Sequence, residues 1–437
     1  MTESPARQRI ASPDLLWLQD SPHNLMNIVG IHTLDRIDAP TLRELWTERV
    51  LGLDQGRRYP RFTQRVVEDR GRSYWQRDDA FAVERHIFEV PEEGPWSDQR
   101  LKSFLGHLAA DPLPRDRPLW QLVIIPELDN GRSAVITRIH HCMGDGMALI
   151  PILFSLQDPL EPAAPKRRDD PTGKVAKPRA SKATLALKAP LLGPLVMLRK
   201  MIARADRSIL HGPQPSGEKR VAWSEPIPLT AIKELKNAYG ATVNDVLMAA
   251  IAGAFRRYVE TASGEPVASL RASVPVNIRA AGTTPKMENR FATVLLELPA
   301  GIAHGGERVA EVKRRMDALK RSVEPLVMFG AVSVVLKTLP KAASRAVADF
   351  FANKCTCVLT NVPGPQEPVA MADRRIHEMM FWVPQRAKIG IGVSILSFAG
   401  AVRLGVISDV ELLPEPHALV DAFGAELADL EAGRPSP

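Results

Sequence analysis

The segment Arg138–Leu149 reads RIHHCMGDGMAL. It places two imidazoles (His140, His141), a thiol (Cys142) and a carboxylate (Asp145) within six residues, the last held between Gly144 and Gly146. Three chemistries use such groups: a metal bound by neighbouring histidines, a cysteine–histidine nucleophile pair, or one histidine acting as a base beside a shaped turn. The preceding residues, SAVITRIHH, have the pattern of a strand, in which side chains alternate between faces. His141 then shares a face with Thr137 and Ile139, and His140 with Arg138 and Ile136. The two imidazoles point apart, which disfavours one shared metal, so no metal ligands are assigned. Cys142 likewise points away from His141, which disfavours a thiolate–imidazole pair. A single histidine at a strand end, followed by a glycine turn, remains. An unperturbed imidazole pKa of about 6.5 suits removal of a hydroxyl proton at neutral pH. The turn returns Asp145 towards the base of the strand, where it would pair with an arginine or orient the ring.

The surrounding pattern supplies elements to position that turn. Asn27–Leu34 reads as a strand, and Asp38 as the N-cap of a helix with Leu42, Leu45, Trp46 and Val50 on one face. RFTQRVVE reads as a strand, and SDQRLKSFLGHLAAD as a helix. LWQLVIIPEL and SAVITRIHH are strands joined through Asp129–Gly131. DGMALIPILFSL then reads as a helix. Beyond residue 215, LTAIKELKNAYG and TVNDVLMAAIAGAFRRYV are helices. LRASVPVNIR, RFATVLLELP, CTCVLTNVPG, KIGIGVSILSF and AVRLGVISDVEL are strands, the last two joined at Ala399–Gly400. A helix closes the chain. Strands and helices interleave in both halves, so the expected class is α/β with mixed sheets. The expected division is 1–160, an intervening segment 161–215, and 216–437. A chain of 437 residues suits two domains of roughly 150–220 residues.

The net charge is +7, but residues 166–207 hold twelve Lys/Arg against three Asp, so the rest of the chain is slightly acidic. A confined basic segment argues against a broad nucleic-acid surface and points to an anionic membrane or lipid surface. Within it, the apolar run Ala189–Leu198 is too short to span a bilayer and carries Pro190 and Pro194. It reads either as a helix packed on the domains or as an in-plane lipid contact. The polar start MTESPARQRIASPD has no apolar signal-peptide core, and three cysteines do not make a disulfide framework. The expected setting is therefore the cytoplasm. Cys355 and Cys357 read as buried strand residues. No G-x-S-x-G elbow, Walker loop or G-x-G-x-x-G occurs, and HEMMF at His377 lacks a zincin's second histidine.

HHCMGDG matches the H-H-x-x-x-D-G pattern of acyltransferases related to chloramphenicol acetyltransferase and of peptide-synthetase condensation domains. SPDLLWLQDSPHNLMNIVG, RFTQRVV, RPLWQ, TVNDVLMA, VPVNIR, ENRFA and TNVPGP, in this order, make the chain similar to the bacterial wax ester synthase/diacylglycerol acyltransferase family over almost its whole length. The resemblance implies two chloramphenicol-acetyltransferase-like α/β domains with an active-site tunnel between them. It implies His141 as general base, with His140, Asp145 and Gly146 as its support. It implies acyl-CoA as co-substrate, with no bound cofactor, and diacylglycerol or a fatty alcohol as acceptor. The setting becomes peripheral, at the inner face of the plasma membrane or on lipid droplets. Arg279 is the candidate partner of Asp145, and Asn289 lies in the ENRFA motif. Asn244 and Asp245 either start a helix, with Thr242 as N-cap, or shape the tunnel. Relatives often carry Asn at the position of Ala399. Two other readings use the same residues: acylation of a polyketide, glycolipid or small alcohol, and a catalytically silent protein coating lipid droplets.

Overall fold

The computed structural model describes residues 7–91, 94–160, 182–279 and 286–435. The large sheets are built mainly from β1 (Asn27–Leu34), β2 (Trp120–Ile125), β3 (Ser133–His140), β4 (Leu270–Asn277), β5 (Phe291–Leu298), β6 (Cys357–Pro363), β7 (Arg374–Trp382), β8 (Ile391–Phe398) and β9 (Ala401–Asp409). Helices used below are α1 (Ser12–Leu15), α2 (Gly146–Phe154), α3 (Lys182–Ile202), α4 (Val243–Ser263), α5 (Glu324–Thr338), α6 (Lys341–Ala352) and α7 (Pro416–Ala432).

The first sheet runs Ile87–Glu89, β2, β3, β1, β7, Val369–Met371, Gln157–Pro159. Every residue of β2 and β3 is buried. That is why these strands read as nearly continuous apolar runs rather than as half-wet alternation. Their core is anchored by Trp46 stacked on Trp120 (ring centroids 4.7 Å apart), with Phe62 edge-on to both. The second sheet runs Ile227–Pro228, β9, β8, β6, β4, β5, and Lys219–Trp223 also pairs with β9. Both β4–β6 and β6–β8 are parallel, whereas β4–β5 and β8–β9 are antiparallel. The mixed α/β architecture expected from the interleaved pattern is present.

α4 is apolar around much of its circumference because the sheet and α7 both cover it, and the second core gathers Phe255, Leu296 and Phe423. Thr242 and Asp245 form a reciprocal capping box, and Gly264, at φ 70°, ends the helix in the left-handed conformation.

The division at residues 160 and 215 needs one correction. Val369–Met371 and β7 belong to the second half of the chain, yet they complete the first sheet. β7 pairs antiparallel with β1, whose free edge it covers. It also carries the approach of one sheet to the other: a Cβ on Gly405 of β9 would lie 2.4 Å from Met380 Cε and 3.1 Å from Trp382 Nε1. A second difference is local. Arg61–Thr63, expected in a strand, lie in a 3-10 turn, and the strand begins at Gln64. Lys166, Arg167, Arg168, Lys174 and Lys177 of the basic segment lie outside the described residues. The apolar run that follows is helical, with Pro190 and Pro194 inside α3. Among the described residues no single helix is long and apolar enough to cross a membrane.

Candidate active site

β3 continues its ladder one residue past its end: the His141 N–H donates to Met26 O at 2.7 Å. The chain then turns through His141–Met143, and Asp145 caps α2, accepting from the Ala148 N–H at 3.1 Å. Gly146 opens that helix. The two histidines separate as strand alternation predicts. The Cys142 N–H donates to His140 Nδ1 (3.2 Å), so the ring proton sits on Nε2 and is donated to Asp20 (3.1 Å). Burial works against ionisation of Asp20, but the His140 bond and the Arg115 charge outweigh it and hold the carboxyl below its usual range. His140 is thus a strut between the turn and the Asp20 loop.

His141 faces elsewhere. The Trp17 indole stacks on its imidazole with centroids 3.7 Å apart and planes at 16°, and Phe291 lies 5.8 Å away. His141, Trp17, Asn289 and Phe291 line a cavity of about 230 Å³ to whose wall α3, α5 and α6 also contribute. Burial lowers the His141 pKa from 6.5 to about 4, against the opposing charge of Asp145. The ordinary value expected from sequence therefore does not hold: the ring has left water, and its free-base form dominates. Burial pushes the Cys142 thiol well up, so that it stays protonated. Cys355 is pushed up to about 12 for the same reason. Among the described residues no group of three His, Cys, Asp or Glu is placed to hold a metal ion.

Two buried carboxylates hold the turn from either side. Asp145 Oδ2 accepts from Arg279 Nη1 and from the Arg290 N–H, both at 2.8 Å. Arg279 also donates to the Glu288 carbonyl at 2.8 Å, so the pair joins the turn to the chain leading into β5. On the other side, α1 brings in Asp14, which is fully buried. Its Oδ2 accepts from Arg61 Nη2 (2.8 Å), and its Oδ1 accepts from the Asn289 N–H (2.9 Å) and from Asn289 Nδ2 (2.8 Å). Arg61 then reaches the carbonyls of Cys142 and Met143, and Asn289 Nδ2 reaches the carbonyl of His141 at 2.9 Å. A charge-assisted net fixes the backbone of the base-bearing turn on both flanks.

Of the residues singled out by sequence, His140, His141, Asp145, Gly146, Arg279 and Asn289 come together here. Asn244 does not: it lies away from the cavity and accepts from Asn361 Nδ2 at 3.1 Å. Asp245 is spent on the α4 capping box, accepting from the Thr242 N–H at 2.9 Å. Asp245 thus serves the helix start, and Asn244 links that start to β6; neither lines the cavity. Sequence reasoning missed Asp14, Trp17 and Arg61 as parts of the site. Their only sign was their place in SPDLLW and RFTQRVV, stretches already matched to the family.

Two α/β halves with a buried His-His-x-x-x-Asp-Gly turn at the cavity between them define an acyltransferase-type scaffold of the chloramphenicol acetyltransferase kind. Solved structures share this fold. A wax ester synthase/diacylglycerol acyltransferase from Marinobacter aquaeolei superposes with a TM-score of 0.71 at 22% identity, over 98% of this chain and 99% of that one. The first condensation domain of the calcium-dependent antibiotic synthetase superposes with a TM-score of 0.60 at 15% identity, over 99% and 98%. Residues 11–247 match the wax ester synthase/diacylglycerol acyltransferase catalytic domain, and residues 287–431 match the C-terminal domain of the same family. The chain belongs to that family and is an acyltransferase. Among its relatives, a putative diacylglycerol O-acyltransferase of Mycobacterium tuberculosis is 27% identical over 82% of this chain and 76% of that protein. A probable diacylglycerol O-acyltransferase of the same species is 25% identical over 85% of each.

Proposed function

We propose that the protein transfers a long-chain acyl group from acyl-CoA to the hydroxyl of diacylglycerol, or of a fatty alcohol, with His141 as general base. The observation that carries this reading is the buried His141 imidazole, stacked on Trp17, on the wall of a largely apolar cavity. The acceptor oxygen attacks the thioester carbonyl carbon as its proton passes to the imidazole. The tetrahedral intermediate collapses, the C–S bond breaks, and the imidazolium proton goes to the departing thiolate. Ester and free CoA leave, and the base is regenerated. No covalent enzyme intermediate is formed, in keeping with a Cys142 thiol held protonated. The largely apolar lining of the cavity strengthens the charge interactions that the intermediate needs. Acyl-CoA serves as co-substrate, and the reaction balances without a resident cofactor.

The proposed setting is the cytoplasmic face of the plasma membrane or a lipid-droplet surface, reached through residues 166–207. The charge of that segment supports the reading, and an acyl-CoA donor suits the cytoplasmic side.

Incubation with labelled palmitoyl-CoA and a mixture of dioleoylglycerol, hexadecanol and short or polar alcohols tests the reaction. Labelled triacylglycerol or wax ester is expected, and its near-complete loss in His141→Ala with the fold retained. Transfer only to short or polar alcohols, or ester formation unchanged in His141→Ala, overturns the proposal.

A further inference from the structure

We propose that α3, α5 and α6 form a lipid-facing port: their outer faces seat on an anionic phospholipid surface, and the acceptor lipid passes between them from that surface to His141. This inference rests on the acyltransferase reading above and adds the route by which the substrate arrives.

The first observation is where apolar surface is left uncovered. Nine of the thirteen exposed large apolar side chains among the described residues lie on these three helices or at the end of α5. On α3, Leu191, Leu195, Leu198 and Ile202 recur at intervals of four, three and four, which aligns them on one helical stripe. Leu191 is 82% and Ile202 70% exposed. The opposite stripe packs inward. Gly193 is buried, and a Cβ there would lie 3.5 Å from Val327 of α5; Met197 lines the cavity; and Lys200 pairs with Glu324 at 2.6 Å. So α3 is seated on its neighbour, and its apolar stripe is on the far side.

α5 and α6 have the same two-sided character. Met328, Val332, Val335 and Leu336 of α5 line the cavity, while Val334, 59% exposed, faces out. Only Met328 of α5 is fully buried. Val347, Ala348 and Phe351 of α6 line the cavity, while Phe350 is exposed. A helix apolar on opposite faces is normally found in a deep core or against lipid. Here one face meets the cavity of His141, and the other is left exposed among the described residues. The layer is continuous at its far end, where Lys354, just beyond α6, donates to the Met201 carbonyl of α3 at 3.0 Å.

Charge selects the occupant. Arg199, Arg204 and Arg207 at the end of α3 are exposed, as is Lys337 in the last turn of α5. The only acid from Lys182 to Arg207 is Asp206, which is buried and bonded to Thr356 Oγ1 at 2.9 Å. An apolar stripe rimmed by cations matches anionic head groups above acyl chains. The cavity wall is then the inner side of the docking face, so a diacylglycerol or fatty alcohol would move from lipid to cavity without crossing water.

Two variants separate docking from passage. Leu195→Glu/Leu198→Glu/Ile202→Glu charges the outer stripe. Ala348→Trp narrows the inner side without touching the outer face. The probes are vesicles of phosphatidylglycerol and phosphatidylethanolamine carrying dioleoylglycerol, and dihexanoylglycerol or 1-octanol dissolved without vesicles. The triple variant is expected to lose vesicle co-sedimentation by about ten-fold or more. Its ratio of transfer to vesicle-borne over dissolved acceptor should fall by a similar factor. Ala348→Trp is expected to co-sediment like the unaltered protein while losing transfer to vesicle-borne acceptor. Co-sedimentation or a transfer ratio unaffected by the triple substitution overturns the port. Equal binding to vesicles of phosphatidylcholine alone overturns the anionic partner. If the unaltered protein acylates no acceptor at all, the acyltransferase reading fails instead, and co-sedimentation still decides the docking face.

Discussion

The Asp145 carboxylate and the Arg279 guanidinium, 134 residues apart in the chain, meet at 2.8 Å with both side chains almost wholly buried. The pair pins the turn that carries His141 to the opposite half of the molecule. A buried ion pair adds little over an apolar pair of the same shape, but removal of one partner strands the other charge.

Arg279→Ala should therefore lower stability by about 3–5 kcal/mol and abolish most ester formation. Arg279→Lys should recover part of the stability and less of the activity, because an ammonium cannot reproduce the planar fork shared with the Glu288 carbonyl. Urea midpoints and palmitoyl transfer rates check both.

Asn289→Ala should cut transfer while leaving the cavity open. The substitution removes the Nδ2 bonds to Asp14 and to the His141 carbonyl but keeps the Asn289 N–H bond to Asp14. A hydrogen bond to a charged group contributes about 1.5–3 kcal/mol, so a stability loss of that order is expected. A kcat reduced more than KM is raised would place the damage in the positioning of the base. A pure KM effect would contradict that role.

The acid side of the pH–rate profile should lie well below the ordinary imidazole value. Burial lowers the His141 pKa to about 4, so the free base persists through mildly acidic conditions. Initial rates between neutrality and pH 5 should stay nearly level in assays short enough to precede unfolding. A limb near pH 6.5 would show that the imidazole is hydrated in the working enzyme.

Stability should fall over the same range. His32, like His141, is buried with its pKa lowered from 6.5 to about 4. Both folded values lie below the unfolded ones, so the unfolded chain takes up protons first as the pH drops. Their contribution is fully present above pH 6.5 and declines towards pH 4, by about 1.4 kcal/mol per histidine per pH unit. His32→Asn should flatten the pH dependence of the urea midpoint. An unchanged slope would assign the acid sensitivity elsewhere.

Ala399→Asn should stabilise the protein. Ala399 and Gly400 form the two-residue turn between β8 and β9, with φ of 46° and 77°. Such a turn needs left-handed residues at both positions, and Asn tolerates that conformation better than Ala. A small rise in the thermal midpoint is expected, with transfer rates unchanged.

Much of the site was legible because its residues sit in local patterns. Strand alternation alone separated His140 from His141, and Thr242 was legible as the N-cap of a helix. What sequence hid was long-range. Nothing local tells that Asp14 of a four-residue helix accepts from Asn289, 275 residues away, or that Trp17 covers the base. The lowered His141 pKa was hidden for the same reason, since burial is set by elements distant in the chain. The pairing of β7 with β1 escaped because a strand's own residues do not name its partner when both candidate sheets offer buried apolar edges.

That pairing has a consequence for synthesis. β1 emerges from the ribosome early, while β7 follows some 340 residues later. Until then the first sheet stands open along β1, with a row of unpaired backbone donors and acceptors. The nascent first half is therefore a sticky intermediate rather than a finished module. Truncation before Arg374 should give aggregates, while the two halves expressed together should rescue one another. The acyltransferase becomes a single cooperative unit only when its last quarter closes the sheet that its first quarter began.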